Sequence, residues 1–206
     1  MQETTGIAEL SRPDFLAGVE DYLAIYAAAM GAAQHELPSR RAIMERHVTS
    51  PGFRALAVTS GTPLRVVAFS YGFHGLPGQW WHDVVQTGIM ARAGRTVAAS
   101  WLEDVMEIAE VHVHPDYQAR GIGRQMLYSL TEGRSERTAV LSTREGESRA
   151  RRLYRSVGFA DLLTGFLFPG GGPAYAVLGA ELPLMQSSSV GGRNTSARRK
   201  PSSGFG

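Results

Sequence analysis

Cysteine is absent from this chain of 206 residues. Its absence excludes disulfides, thiolate metal sites and a cysteine nucleophile, and it fits a reducing compartment such as the cytoplasm. The sequence also lacks any run of about 18 apolar residues, so we expect no membrane-spanning segment. The first residues, MQETTGIAELSRPDF, have no basic stretch followed by an apolar one, so we expect no secretory signal.

Acidic residues are missing from positions 187–206, which carry Arg193, Arg198, Arg199 and Lys200. The whole chain has 21 basic and 19 acidic residues, so the part without those four cations has 17 against 19 and a net charge of −2. A Ser/Gly/Arg composition buries too little apolar surface to offset its ordering entropy. We therefore expect a folded domain at 1–186 and a disordered basic tail at 187–206. Four charges alone are weak grounds for nucleic-acid binding.

The sequence of residues 1–186 favours a single α/β domain. Hydrophobic periodicity predicts a strand, two helices, three strands, a helix, a strand, a helix and two final strands. The predicted strands are TGIAEL, FRALAVTSG, PLRVVAFSYGF, MEIAEVHVHP, RTAVLST, LLTGFLF and AYAVLGAEL, and the predicted helices cover 15–30, 40–47, 122–132 and 147–157. We expect a central mixed, mostly antiparallel sheet with helices on both faces.

The segment QARGIGR, 118–124, lies between a predicted strand and a predicted helix. A dinucleotide fingerprint needs a third glycine where Gln125 and Met126 stand, and the Lys and Ser/Thr of a P-loop are absent. Two interpretations stay open. The glycines either form a tight turn with positive φ, or they let backbone N–H groups at the helix start approach a diphosphate.

The segment EVHVHPDYQARGIGRQML resembles the acetyl-CoA-binding segment of the GNAT superfamily of N-acetyltransferases, in which a strand is followed by Q/R-x-x-G-x-G/A and a helix. The later segment ARRLYRSVGF is similar to the family's A-x-x-L-Y-x-x-x-G-F. The two motifs occur in the family's order, separated by a strand, and the flanking elements match over 5–184. One departure is Glu147, where the family often carries Asn.

The resemblance implies an enzyme that moves the acetyl group of acetyl-CoA to an amine by direct attack. An alternative is a non-catalytic acyl-CoA-binding sensor or partner-binding module. The pantetheine arm would pair with the strand backbone and the diphosphate would lie on the glycine loop. The implied cofactor-binding residues are Val111, His112, Val113, Gln118, Ala119, Arg120, Gly121, Ile122, Gly123 and Arg124. Arg149 and Arg152 either meet the 3′-phosphate or form a solvated helix face.

Three residues are candidates for the chemistry that the resemblance implies. Tyr154 would protonate the leaving thiolate, unless it is only a core residue of its helix. Glu110 is our first candidate for the base and Glu107 the second, with a water relay as the alternative. Their opposite parity lets only one face the site in a regular strand, although a bulge would change this. His112 and His114 form an H-x-H pair without a third ligand, so we expect no metal.

The insertion at 75–104 contains every tryptophan of the chain and a predicted helix at 97–105. Long loops are usually functional or disordered, and three tryptophans argue against disorder. The insertion is either a packed excursion that covers the sheet edge or a wall of the acceptor site. In the second case Trp80 and Trp81 would shape an apolar pocket, and His82 or Asp83 would meet the amine. The acceptor would be a small-molecule or peptide amine, and the protein a monomer or homodimer.

Overall fold

The computed structural model describes residues 6–185, and the predicted basic tail lies outside that range. These residues form a seven-stranded sheet with the order β1-β2-β3-β4-β5-β7-β6. The strands are β1 Gly6–Leu10, β2 Arg54–Ser60, β3 Arg65–Gly75, β4 Val105–Val113, β5 Thr138–Arg144, β6 Ala160–Phe166 and β7 Tyr175–Glu181. Strands β4 and β5 are parallel, whereas the other five neighbouring pairs are antiparallel. The prediction of a mixed, mostly antiparallel sheet is confirmed.

Seven α-helices accompany the sheet in residues 6–185. They are α1 Arg12–Ala17, α2 Val19–Met30, α3 Leu37–His47, α4 Trp80–Ala93, α5 Arg95–Leu102, α6 Ile122–Thr131 and α7 Arg149–Ser156. The prediction of one helix over 15–30 is wrong, because Gly18 ends α1 and begins α2. The ring of Tyr22 folds back over Gly18 and would clash with any Cβ there, so the glycine makes this junction possible. None of these helices is long and apolar enough to cross a bilayer.

The helices cover both faces of the sheet, as the sequence predicted. On one face, α6 and α7 pack through Leu127, Leu130 and Val157 against Met106 and Ile108 of β4. We call this the α6–α7 face. On the other, the α1–α5 face, aromatic residues of α1 and α2 pack against β3, and these residues are Phe15, Tyr22, Phe69, Tyr71 and Phe73. Because β4 lies between the two cores, its side chains reach both faces.

The insertion forms two helices, so the prediction of a single helix at 97–105 is wrong. Gly94 has a φ of 90° and separates α4 from α5, and Val105 already belongs to β4. The helices pack on the β5–β7–β6 half of the α1–α5 face, where Val85, Ile89 and Leu102 meet Val140, Leu163 and Val177. The contact is close, since a Cβ on Gly179 would lie 2.8 Å from the Trp101 ring. The insertion therefore covers a sheet face rather than an edge.

Candidate active site

Strands β4 and β5 separate after a short parallel contact. Their register joins Val105–Glu107 to Thr138–Val140, and β4 then continues to Val113 with an open edge on that side. The N–H of His114 donates to Val67 O of β3 at 2.8 Å. Backbone groups alternate along a strand, so His112 also directs its N–H and C=O toward β3, while Val111 and Val113 direct theirs toward the open edge. Gln118 Nε2 donates to the Val113 carbonyl at 3.1 Å, on that open side.

A cleft of about 550 Å³ lies on the α6–α7 face beside the open edge. The strand, the glycine loop and α7 all line it. The lining residues are Val111, Val113, Tyr117, Gln118, Ala119, Gly121, Ile122, Gly123, Arg124, Arg149, Ala150, Arg152, Leu153, Tyr154 and Ser156. Arg120 is not among the lining residues. Its guanidinium group donates to Asp116 O at 2.9 Å, and its central carbon lies 4.9 Å from the centre of the Tyr117 ring. The two sequence segments quoted above thus come together as opposite walls of one cleft.

The two glycines of the loop serve different purposes. Gly121 begins α6 with a φ of 83°, and a Cβ built on it would have nothing within 4 Å. Glycine is required there by the backbone conformation, and the space beyond it is open. A Cβ on Gly123 would lie only 2.9 Å from Leu153 Cδ2, so this glycine allows α6 and α7 to approach each other. The tight-turn interpretation holds for Gly121, and the turn it makes opens on the cleft.

The cleft carries three arginines at its rim. Arg124, Arg149 and Arg152 line it, and Arg124 donates to Ser156 Oγ of α7 at 2.9 Å. Cations around a concave surface raise the local concentration of an anionic ligand. Glu147, at the position where the sequence departs from the family pattern, accepts a hydrogen bond from Arg155 at 2.8 Å instead of lining the cleft.

Tyr154 belongs both to the core and to the cleft. Its side chain is 7% exposed, and its ring centroid lies 5.9 Å from that of Phe159. Burial and then the negative charge of Glu110 raise the pKa of the Tyr154 phenol above its usual value. The phenol is therefore protonated at neutral pH.

A bulge in β4 brings the two candidate carboxylates to one face. Tyr71 of β3 pairs with Glu110 and Gly72 pairs with Ile108, which leaves Ala109 as the extra residue. Phe73, two residues beyond Tyr71, pairs with Glu107. Directly paired residues share a face, so Glu107 and Glu110 both point to the α1–α5 face. In a regular strand without the bulge, Glu107 and Glu110 would point to opposite faces of the sheet.

Glu110 is held by two basic side chains. Its Oε1 accepts from Arg40 Nη1 at 2.8 Å, and its Oε2 forms a short hydrogen bond with His112 Nε2. Burial raises the pKa of Glu110, but the charges and hydrogen bonds of His112 and Arg40 outweigh it and lower the pKa overall. Arg40 also donates to the Tyr26 hydroxyl at 3.1 Å. Sequence reasoning missed Arg40, because no pattern links it to a residue 70 positions away.

Glu107 has a different environment. Its side chain is 4% exposed, and within the described residues its Oε2 has no hydrogen-bond partner. Burial raises the pKa of Glu107 to about 8. A carboxyl group with this pKa exchanges its proton near neutrality, as a general base must.

Comparisons with known proteins show which family this sequence is similar to. The sequence family described as "Acetyltransferase (GNAT) domain" matches residues 81–161. A GCN5-like protein acetyltransferase of Mycobacterium tuberculosis is 42% identical over 133 residues, which are 62% of this chain and 63% of that protein. The N-alpha-acetyltransferase RimI of the same organism is 37% identical over 70 residues, 34% of this chain and 41% of that protein. Residues 81–161 therefore belong to the GNAT acetyltransferase domain family.

A solved structure of another protein has the same fold as this chain. The ribosomal-protein-S18-alanine N-acetyltransferase of Escherichia coli superposes with a TM-score of 0.54 at 17% identity, covering 91% of this chain and 99% of that one. The GNAT family match includes Glu107, Glu110 and Tyr154, whereas Tyr26 and Arg40 lie before it. The alignments span less than two thirds of either curated relative's length.

The four residues predicted to contact the acceptor lie at three different places in the structure. Trp81 Nε1 donates to Ser142 Oγ of β5 at 3.2 Å, beside the point where β4 and β5 separate. His82 is 1% exposed, with its Nε2 3.1 Å from the Leu102 carbonyl, and Asp83 accepts from the Gly78 N–H. Trp80 is 59% exposed, with its ring 5.8 Å from that of Phe168.

Proposed function

We propose that this protein is an acetyl-CoA-dependent N-acetyltransferase that transfers the acetyl group to an amine by direct attack. The observation that carries the proposal is the open edge of β4, which lies against the glycine turn and Tyr154 in one cleft. A binding module without turnover would need the turn and the open edge, but it would not need Tyr154 in the cleft or a buried carboxyl group, Glu107, with a pKa of about 8 on the opposite face of β4.

The cleft fits acetyl-CoA by its chemistry. The Val111 carbonyl and the Val113 N–H face the open edge and suit the amides of the pantetheine arm, as an added strand would, whereas the Val113 carbonyl accepts from Gln118. The open space beside Gly121, at the positive end of the α6 dipole, suits the diphosphate. Arg124, Arg149 and Arg152 supply positive charge for the remaining phosphates.

Candidate residues on the two faces of β4 account for each proton of the reaction. The acceptor ammonium loses one proton to the Glu107 carboxylate and becomes nucleophilic. Its nitrogen attacks the thioester carbonyl, polarised by the Val111 N–H, and the carbon–sulfur bond breaks as the tetrahedral intermediate collapses. The departing sulfur takes the Tyr154 proton, and the second nitrogen proton returns to the Tyr154 oxygen through solvent.

Our choice between the two carboxylates rests on their contacts. From the sequence, Glu110 was the first candidate because it is nearer to the expected thioester. Both of its oxygens, however, accept hydrogen bonds from basic groups, whereas one oxygen of Glu107 has no partner in residues 6–185. We therefore propose Glu107 as the proton acceptor, with Glu110 holding positive charge near it.

The acceptor to test first is a polypeptide amine. One curated relative is a protein acetyltransferase and the other is an N-alpha-acetyltransferase. Incubation of the protein with acetyl-CoA and a panel of amines, with free thiol as the readout, tests the activity. The panel should include small alkylamines, peptides with a free N-terminus, and N-terminally blocked peptides with one lysine. Binding of acetyl-CoA without thiol release from any of these would favour the sensor alternative.

A further inference from the structure

The guanidinium group of Arg40 lies in a cage on the α1–α5 face. Its Nη1 donates to Glu110 Oε1 at 2.8 Å, its Nη2 donates to the Tyr26 hydroxyl at 3.1 Å, and its central carbon lies 4.6 Å above the Tyr26 ring. His112 closes the cage, since it is hydrogen-bonded to Glu110 and its ring packs edge-on against Tyr26. We call Tyr26, Glu110 and His112 the cation cage.

A carboxylate beside an aromatic face is the general chemistry that recognises an organic cation. The walls of the cation cage come from α2 and β4, whereas its occupant comes from α3. The walls are well buried, at 8% exposure for Tyr26 and 6% for Glu110. The Arg40 side chain is 31% exposed. The occupant is thus more exposed to solvent than either of these wall residues.

The cage lies beside the proposed reaction centre. Glu110 is three residues from Glu107 on the same face of β4, and the bulge at Ala109 puts them there together. The separation of β4 from β5 opens the sheet next to both of them. The negative charge of Glu110 contributes, after burial, to the raised pKa of Tyr154.

We propose that the cation cage is the subsite for the acceptor's ammonium group and that Arg40 occupies it as an internal competitor. This inference rests on the proposed function and names its substrate class, a primary ammonium on a flexible chain. Glu110 and the Tyr26 ring hold the ammonium while the nearby Glu107 takes its proton. An acceptor must displace the Arg40 guanidinium, so its apparent affinity is reduced by the fraction of time that Arg40 fills the cage.

Binding of ethylammonium to the protein without acetyl-CoA tests the cage directly. In Arg40→Ala the cage is vacant, and ethylammonium chloride should raise the melting temperature by about 2 °C or more over the same concentration of sodium chloride. The neighbouring Arg41 is a matched control, because it pairs at the surface with Glu20 and Glu45. Arg41→Ala should show no such rise, and the double variant Arg40→Ala/Glu110→Gln should lose it.

Equal ethylammonium effects in Arg40→Ala and Arg41→Ala would overturn the cage. If Arg40→Ala does not fold, Arg40→Lys tests the same point, because lysine lacks the fork that bonds Glu110 and Tyr26 together and should allow a partial rise. No rise in that variant would equally overturn it.

A kinetic measurement tests the assignment to the acceptor. With an amine that releases thiol from acetyl-CoA, Arg40→Ala should lower the KM for that amine about tenfold and leave the KM for acetyl-CoA unchanged. An unchanged or higher amine KM would overturn the acceptor subsite. Failure of the proposed function looks different: no amine releases thiol in the wild-type protein, whatever the ethylammonium experiment shows.

Discussion

On its α6–α7 face, β4 borders a cleft whose lining residues lie between Val111 and Ser156, in two short segments of sequence. On its α1–α5 face, β4 contributes Glu110 and His112 to a polar site with Tyr26 of α2 and Arg40 of α3. The first site consists of a turn, a helix start and an open strand edge. The second consists of side chains from different elements that meet in the folded protein.

This difference in how the two sites are built explains why sequence motifs identify the cleft on the α6–α7 face better than the polar site on the α1–α5 face. Gly121 and Gly123 must be glycine because of a backbone angle and a helix contact, so the same short pattern can recur wherever that geometry is needed. The pairing of Arg40 with Glu110 depends on how α3 lies against the sheet. A cation from any other element at that point could form the same ion pair with Glu110. No fixed spacing in the sequence therefore predicts the pair.

The largest expected effect is on the α6–α7 face. Replacing Tyr154 by Phe should lower kcat about 10³-fold, because the leaving thiolate loses its proton donor. The KM for acetyl-CoA should change little, since the ring and its packing remain. Steady-state kinetics measures both constants. A kcat within a factor of three of the wild type would assign Tyr154 to the core alone.

On the α1–α5 face, Glu107→Gln should lower kcat about 10²-fold. In the wild type, kcat should rise with pH up to about 8, because Glu107 accepts a proton only as a carboxylate and burial raises its pKa to about 8. The variant should lose this rise. The matched variant Glu110→Gln should keep it, and the reverse result would make Glu110 the base.

Glu107→Gln should also change how the stability of the protein depends on pH. The folded-state pKa of Glu107, about 8, lies above its ordinary value of 4.5. Between these pH values the native protein retains a proton that the unfolded chain loses, so wild-type stability falls as pH rises. Glu107→Gln carries no such penalty, and its melting temperature should exceed that of the wild type by more at pH 8 than at pH 5. A difference that does not vary with pH would contradict the buried, unpaired environment of Glu107.

A smaller effect is expected at the glycine turn. Gly121→Glu should weaken acetyl-CoA binding at least about tenfold, because it places a negative charge where the diphosphate is expected. Gly133→Glu is the control: Gly133 also has a positive φ, of 68°, and open space around it, at the other end of α6. Calorimetry should show weaker binding in the first variant alone. Equal losses in both would trace the effect to backbone strain.

The smallest effect tests whether the insertion contributes to the acceptor side. Trp80→Ala removes an exposed side chain, so the free energy of unfolding should change by less than about 0.5 kcal/mol. If Trp80 is part of the acceptor wall, the KM for a peptide acceptor should still rise about threefold. Leu64→Ala, at an equally exposed apolar residue between β2 and β3, should change neither quantity. An unchanged KM in Trp80→Ala would leave the insertion as a cover for the sheet.

The amino-acid sequence determined the order of the strands along the chain, the crossover from β4 through α6 to β5, and the glycine turn at the start of α6. These features depend on hydrophobic period and on a glycine required by a local backbone angle, and both are visible in a short window of residues. The break of the first predicted helix at Gly18 and the two helices of the insertion escaped prediction, because each depends on how side chains pack.

Only the tertiary structure decided the environments of the two carboxylates. The bulge at Ala109 turned Glu107 and Glu110 to one face, against their parity. Arg40 and His112 then engaged Glu110 and left one oxygen of Glu107 buried without a partner in the described residues. The charge state of a buried group depends on which side chains the fold brings within a few ångströms of it. Sequence alone specifies the group, and the fold supplies those neighbours.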